Sequence, residues 1–226
     1  MPEHGHQMYS VKEMFYTLQG EGAQAGRPAV FCRFSGCNLW TGREQDRASA
    51  HCQFCDTDFV GTNGINGGKF DDADQLANKI ASFWPDAQET SNAKKIRKYV
   101  VFTGGEPCLQ LDENVIIALK KHDFEIAIET NGTMRVPNGV DWICVSPKPG
   151  PELIQTSGQE LKFVFPQTQL SPHRFESFDF EHFFIQPMDV ADNKIKNENL
   201  AQCLSFCLEN PQWRLSLQTH KLTGLP

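Results

Sequence analysis

Residues 98–107 read KYVVFTGGEP. Four apolar residues in a row, 99–102, with no polar alternation predict a strand buried on both faces, and the glycine pair at 104 and 105 ends it. Working outward, similar runs recur at 29–36 (AVFCRFSG), 125–130 (EIAIET), 141–146 (DWICVS), 160–165 (ELKFVF), 182–187 (HFFIQP) and 213–219 (WRLSLQT), after a first strand at 9–17 (YSVKEMFYT). Helical periodicity appears at 72–84, where Leu76, Ile80 and Phe83 share a stripe behind aspartates, and again at 112–123 and 198–210. Doubly buried strands imply a parallel sheet covered by helices. Three or four helices serving about seven strands predict an α/β fold of incomplete, sparsely covered barrel type. No repeat or low-complexity linker divides the 226 residues, so 1–226 is expected to be a single domain.

In such folds the reactive groups gather at the carboxyl ends of the strands. QGEG (19–22), GGEP (104–107), ETNG (129–132), SPKP (146–149) and QPMD (186–189) all fall there. Each could be a plain turn, but their shared placement points to one site built from several loops.

The formal charge of −7, from 21 Lys+Arg against 28 Asp+Glu, argues against nucleic-acid coating and for a small-molecule substrate. The basic cluster Lys94, Lys95, Arg97 and Lys98 reads as a solvated face, or more sharply as a docking patch for an acidic redox partner. The first ten residues carry no apolar signal core, and no run of about 18 apolar residues follows. The expectation is a cytoplasmic protein with no membrane contact, in a reducing compartment where the eight cysteines are not a disulfide scaffold.

Cys32, Cys108, Cys144, Cys203 and Cys207 lie in or beside apolar runs and read as small buried hydrophobes. Cys37, Cys52 and Cys55 form C-x14-C-x2-C. Three thiolates on a four-iron cluster leave one iron open, whereas structural zinc closes four ligands. A zinc site completed by His51 or Cys32 is the alternative. GGEP lacks the P-loop spacing and lysine, and offers a carboxylate and close backbone approach to a ligand ammonium.

A cluster loop ending Cys52-Gln-Phe54-Cys55, followed by a strand and GGEP, resembles the radical S-adenosylmethionine (SAM) superfamily. The first spacing departs from the usual x3 by inserting residues 38–51, and in this the chain resembles one branch of the 7-carboxy-7-deazaguanine synthases, from FYTLQGEG (15–22) to QTHK (218–221). The resemblance implies a partial radical-SAM (β/α) barrel holding a SAM-bound 4Fe-4S cluster and Mg2+. It implies conversion of 6-carboxy-5,6,7,8-tetrahydropterin to 7-carboxy-7-deazaguanine for queuosine and related deazapurine pathways, a flavodoxin- or ferredoxin-type reductant, and a homodimer.

Carried onto this sequence, the resemblance assigns the irons to Cys37, Cys52 and Cys55 and magnesium to Thr57. SAM would meet Phe54, Cys55 and Asp56, then Gly104, Gly105 and Glu106, then Ser146, Pro147 and Lys148, and finally Gln186, Pro187, Met188 and Asp189. Substrate would meet Leu18, Gln19, Gly20, Arg33, Thr103 and the terminal carboxylate of Pro226. Arg33 suits a carboxylate partner, with a structural ion pair as its plainer reading. Among the strand-end polar residues Glu21, Glu129 and Asn131, Glu129 is the first choice for proton transfer. A glycyl-radical activase and a zinc-stabilised binding module are the competing functions.

Overall fold

The alternation of doubly buried runs with one-sided stripes is realised in a computed structural model that describes residues 8–85 and 97–226. The strands are β1 (Tyr9–Leu18), β2 (Pro28–Phe34), β3 (Gly68–Phe70), β4 (Lys98–Gly104), β5 (Phe124–Thr130), β6 (Trp142–Val145), β7 (Ser157–Phe165), β8 (Asp179–Pro187) and β9 (Trp213–Leu215). They form one sheet in the order β3-β1-β2-β4-β5-β6-β7-β8-β9, not closed, with β3 and β9 at its edges. From β2 to β9 every pairing is parallel, as the apolar runs predict.

β1 differs, pairing antiparallel with both β2 and β3. Residues 19–27, which join β1 to β2, are too few for the crossover that a parallel neighbour needs. β3 has only three residues and no apolar run, so no local pattern marks it.

Helices α1 (Ala73–Ala81), α2 (Glu113–Lys121) and α3 (Asn193–Glu209) each begin on an aspartate, with a short α4 (Thr219–Thr223) near the end. Asp72, Asp112 and Asp192 accept hydrogen bonds from the first-turn amides that lack helical partners. The Asp192 cap starts α3 five residues before the periodicity predicted at 198. Leu76 and Ile80 of α1 and Val115 and Leu119 of α2 pack over Val30, Cys32, Phe34, Val100, Phe102, Ile126 and Ile128 of the sheet. Cys203 of α3 joins Leu161, Phe163, Ile185 and Trp213 in a second core. No described helix lies between β5 and β7, so the covering is as sparse as expected.

Strand pleating sends alternate residues to the other face. There Ala29, Tyr99, Val101 and Ala127 form a third apolar cluster, with Phe31 and Trp142 packed on it. Towards the carboxyl ends the same registers bring Arg33, Thr103, Glu129, Lys162, Val164 and Gln186 to a cavity. Of the predicted basic cluster, Lys94 and Lys95 lie outside the described residues, Arg97 precedes β4 and Lys98 is its first residue. Among the described residues no helix is long and apolar enough to cross a membrane.

Candidate active site

The cavity measures about 440 Å3 and opens at the carboxyl ends of the parallel strands. All five strand-end loops singled out from the sequence contribute to its wall. Leu18, Gln19, Gly20, Arg33, Thr103, Glu129 and Pro226 line it, as do Phe54, Asp56, Thr57, Gly104, Gly105, Ser146, Lys148 and residues 186–189. Cys37, Glu106 and Pro147, also predicted for the site, are not on that wall.

Cys52 and Cys55 line one end and are hydrogen-bonded to each other. The bond from Cys52 holds the Cys55 thiol down at about 6 against the upward push of burial, and its reciprocal effect drives Cys52 up. Cys37 is raised by burial, although the Leu39 amide donates to its Sγ at 3.4 Å. It feels the charge of Cys55, so the three thiols form one electrostatic group. Cys32 is buried in the helix-covered core and His51 is exposed, so the zinc-completing roles weighed for them are not met. Among the described residues no three His, Cys, Asp or Glu side chains surround a single metal ion. A cluster differs in spreading its ligands over separate irons.

The 38–51 insertion also has a structural part in this loop. Arg47 stacks over Trp40 at 4.1 Å and donates to the carbonyls of Gln53 and Cys55, both at 3.0 Å. The C-x2-C segment is thus fixed from outside the cavity.

GGEP packs directly against Cys37. A Cβ added at Gly105 would fall 2.6 Å from the Cys37 Cβ and 2.2 Å from the Gly36 carbonyl oxygen. Gly104 has φ +135° and the Phe34 carbonyl equally close, so neither position has room for a side chain. Glu106 is fully buried with its carboxylate turned away from the cavity. It accepts from Cys108 N at 2.9 Å, Thr130 Oγ1 at 2.7 Å and Asn131 N at 2.8 Å. The carboxylate thereby binds the GGEP turn to the end of β5.

The SPKP loop turns Lys148 onto Ser146, whose carbonyl and hydroxyl accept at 2.8 and 2.7 Å, with the ammonium 5.9 Å above the Phe54 ring. Across the mouth, Lys221 of α4 bridges Asp56 at 2.7 Å and Asp189 at 2.5 Å. Burial would raise the Asp189 carboxyl, but Lys196 and Lys221 bring it below its ordinary range.

At the opposite end, Gln19 Nε2 donates to Glu129 Oε1 at 2.8 Å. Arg33 Nε donates to Glu13 Oε1 at 2.8 Å, so the structural ion pair is present even though Arg33 lines the cavity. The Thr17 hydroxyl donates to the Pro226 carbonyl at 3.2 Å. Sequence reasoning missed Lys162, whose signal was available: a lysine inside the apolar run 160–165. Gln218, His220 and Lys221, within the QTHK stretch, also line the cavity.

An open, mostly parallel sheet whose strand ends carry a three-cysteine loop packed on a Gly-Gly-Glu-Pro turn defines a radical SAM enzyme. No family model matches the chain. Proteins named 7-carboxy-7-deazaguanine synthase from Caulobacter vibrioides and Bordetella pertussis are 59% and 58% identical to it over 218 residues, spanning 96% of this chain and 99% of their own length. One of the same name from Bacteroides thetaiotaomicron is 36% identical over the same shares. The crystal structure of QueE from Escherichia coli superposes with a TM-score of 0.65 at 25% identity, covering 95% of each chain. The chain belongs to the 7-carboxy-7-deazaguanine synthase family. Membership discards the activase and zinc-module readings.

Proposed function

We propose that this chain, as one radical SAM domain spanning 1–226, converts 6-carboxy-5,6,7,8-tetrahydropterin to 7-carboxy-7-deazaguanine with loss of ammonia, in queuosine and related deazapurine biosynthesis. The observation that carries the reading is a single cavity with a cysteine-and-GGEP end and a Gln19–Glu129–Arg33 end. One end suits a cluster and SAM; the other suits a polar, carboxylated heterocycle.

Cys37, Cys52 and Cys55 are the thiols that would hold a 4Fe-4S cluster, and their grouping beside Gly105 fits that donor set. When bound, the cluster and SAM supply a 5′-deoxyadenosyl radical able to take hydrogen from the pterin. The chain's own part is placement. Gly104 and Gly105 leave the backbone open to the methionine ammonium, Phe54 and Asp56 flank the nucleoside, and the loops of Ser146 to Lys148 and Gln186 to Asp189 enclose the rest of SAM.

For the pterin, Leu18, Gln19, Gly20 and Thr103 read the ring edges and Arg33 pairs with the carboxylate. Glu129 is the group placed to move a proton. Pro226 closes the wall. Phe15, Phe31 and Val164 give the cavity apolar surface that keeps water from a radical. Thr57 would hold Mg2+ with its one hydroxyl, the remaining positions going to water and the substrate carboxylate, as suits an ion reluctant to dehydrate. The reading takes a flavodoxin- or ferredoxin-type protein as electron source, a homodimer as assembly and the cytoplasm as compartment.

The test is an anaerobic incubation of reconstituted protein with SAM, dithionite, magnesium and the carboxytetrahydropterin, following product mass. Formation of the deazaguanine acid with little net SAM consumption supports the reading. Loss of activity in Cys52→Ala supports the cluster assignment, SAM cleavage without pterin turnover overturns the substrate, and a protein that takes up zinc but no iron overturns the chemistry.

A further inference from the structure

Four acidic or thiol groups converge beneath the cavity, around a lysine that none of the roles above uses. The registers place Glu129 of β5 beside Cys144 of β6, and Cys144 beside Glu160 of β7, in one row across the concave face. Lys162, two residues along β7 on the same face, extends over that row with only 4% of its side chain exposed. Its Nζ donates to Glu21 Oε2 at 2.5 Å and to Glu129 Oε2 at 3.0 Å.

Each carboxylate is then held by an amide on its other oxygen: Gln218 Nε2 on Glu21 at 2.9 Å and Gln19 Nε2 on Glu129 at 2.8 Å. The Glu21 amide donates back to Gln19 Oε1 at 3.2 Å. Gln19, Glu129, Lys162 and Glu21 therefore close a ring of hydrogen bonds, and Glu21, Glu129 and Gln19 reach the cavity wall. Without a cation, two carboxylates so close in a partly dry site could not both stay ionised.

We propose that Lys162 is the positioning residue of the substrate end. By pairing with Glu21 and Glu129 together it holds both carboxylates in place as acceptors for the N–H edge of the pterin. The inference rests on the pterin reading of this cavity. Burial alone would lower the Lys162 ammonium, but the surrounding Cys144, Glu129, Glu21 and Glu160 raise it well above its ordinary value. It is thus a poor proton donor near neutrality and a steady counter-charge. The Glu21 carboxyl, which burial would raise, is held at about 2 by Lys162, by Gln218 and by the field of His220. Glu160, on the same strand as Lys162, is engaged separately by the Ala23 amide at 2.9 Å.

The experiment compares wild type, Lys162→Met and Lys162→Arg as full-length, reconstituted protein. It reads equilibrium binding of the carboxytetrahydropterin with SAM present and no reductant, then the pH profile of kcat/KM from pH 6 to 8. Wild type should bind pterin and show no acid limb from Glu21. Lys162→Met should bind about tenfold or more weakly, the loss of one charge-assisted contact, and gain an acid limb as a carboxyl titrates upward. Lys162→Arg should restore the flat profile, since its charge is permanent. Wild-type pterin binding and a flat profile in Lys162→Met would overturn the proposal. If Lys162→Met does not fold, an acid limb in Lys162→Arg overturns it and a flat profile supports it. Failure of wild type to bind pterin would instead defeat the substrate assignment.

Discussion

The Gln19 side-chain amide reaches Glu129 Oε1 at 2.8 Å, tying the loop after the antiparallel β1 to the carboxyl end of β5. Both residues line the cavity. Glu129→Gln removes the charge at constant shape and leaves the Gln19 donor facing an amide. The expected outcome is a fall of about 10- to 100-fold in kcat/KM for the pterin with SAM affinity unchanged, read from steady-state kinetics and SAM binding.

Gly105→Ala would drive a Cβ into the Gly36 carbonyl and the Cys37 Cβ. Both are backbone or near-backbone atoms, so the Cys37 loop must move. Iron content after anaerobic reconstitution should fall well below that of wild type while the protein remains folded by circular dichroism. Full iron loading would show that the cysteine loop does not depend on this packing.

Glu106 takes three donors with no exposure to solvent, so Glu106→Gln loses acceptor capacity and sets an amide N–H2 against groups that themselves donate. A cost of about 1–3 kcal/mol is expected in urea unfolding. An unchanged midpoint would mean that the turn relaxes around the amide.

In metal-free protein, thiol reactivity should be site-selective. Cys55 is lowered to about 6, so it is mostly thiolate above that pH, whereas burial raises Cys32 and Cys144. Iodoacetamide at pH 7 should label Cys55 first, with its rate rising through pH 6 and levelling above it. Peptide mass mapping reads this, and loading with iron and sulfide should abolish the labelling. Equal labelling of all eight cysteines would contradict the arrangement.

The strands were legible because their apolar runs need no partner to be recognised, and the parallel order followed from burial on both faces. The antiparallel turn at β1 was less visible: YSVKEMFYT carries the same β-forming residues in either direction, and direction was set by the short connection. β3 is three residues held by pairing with β1, a long-range effect with no local pattern. Within the site, glycines and cysteines announced themselves by spacing. That Glu106 also accepts from Thr130 and Asn131 has no local signature, because those partners lie 24 and 25 residues away.

The sequence by itself determined the chemistry at hand: three thiols at cluster spacing, a glycine turn open to a ligand, and polar residues at successive strand ends. Such features are local, fixed by residue type and by the period of the backbone. Only the tertiary structure decided which charges meet. Lys162 lies 33 residues from Glu129 and 141 from Glu21, and its burial is tolerable only because the sheet register and the loop after β1 bring both carboxylates to its ammonium.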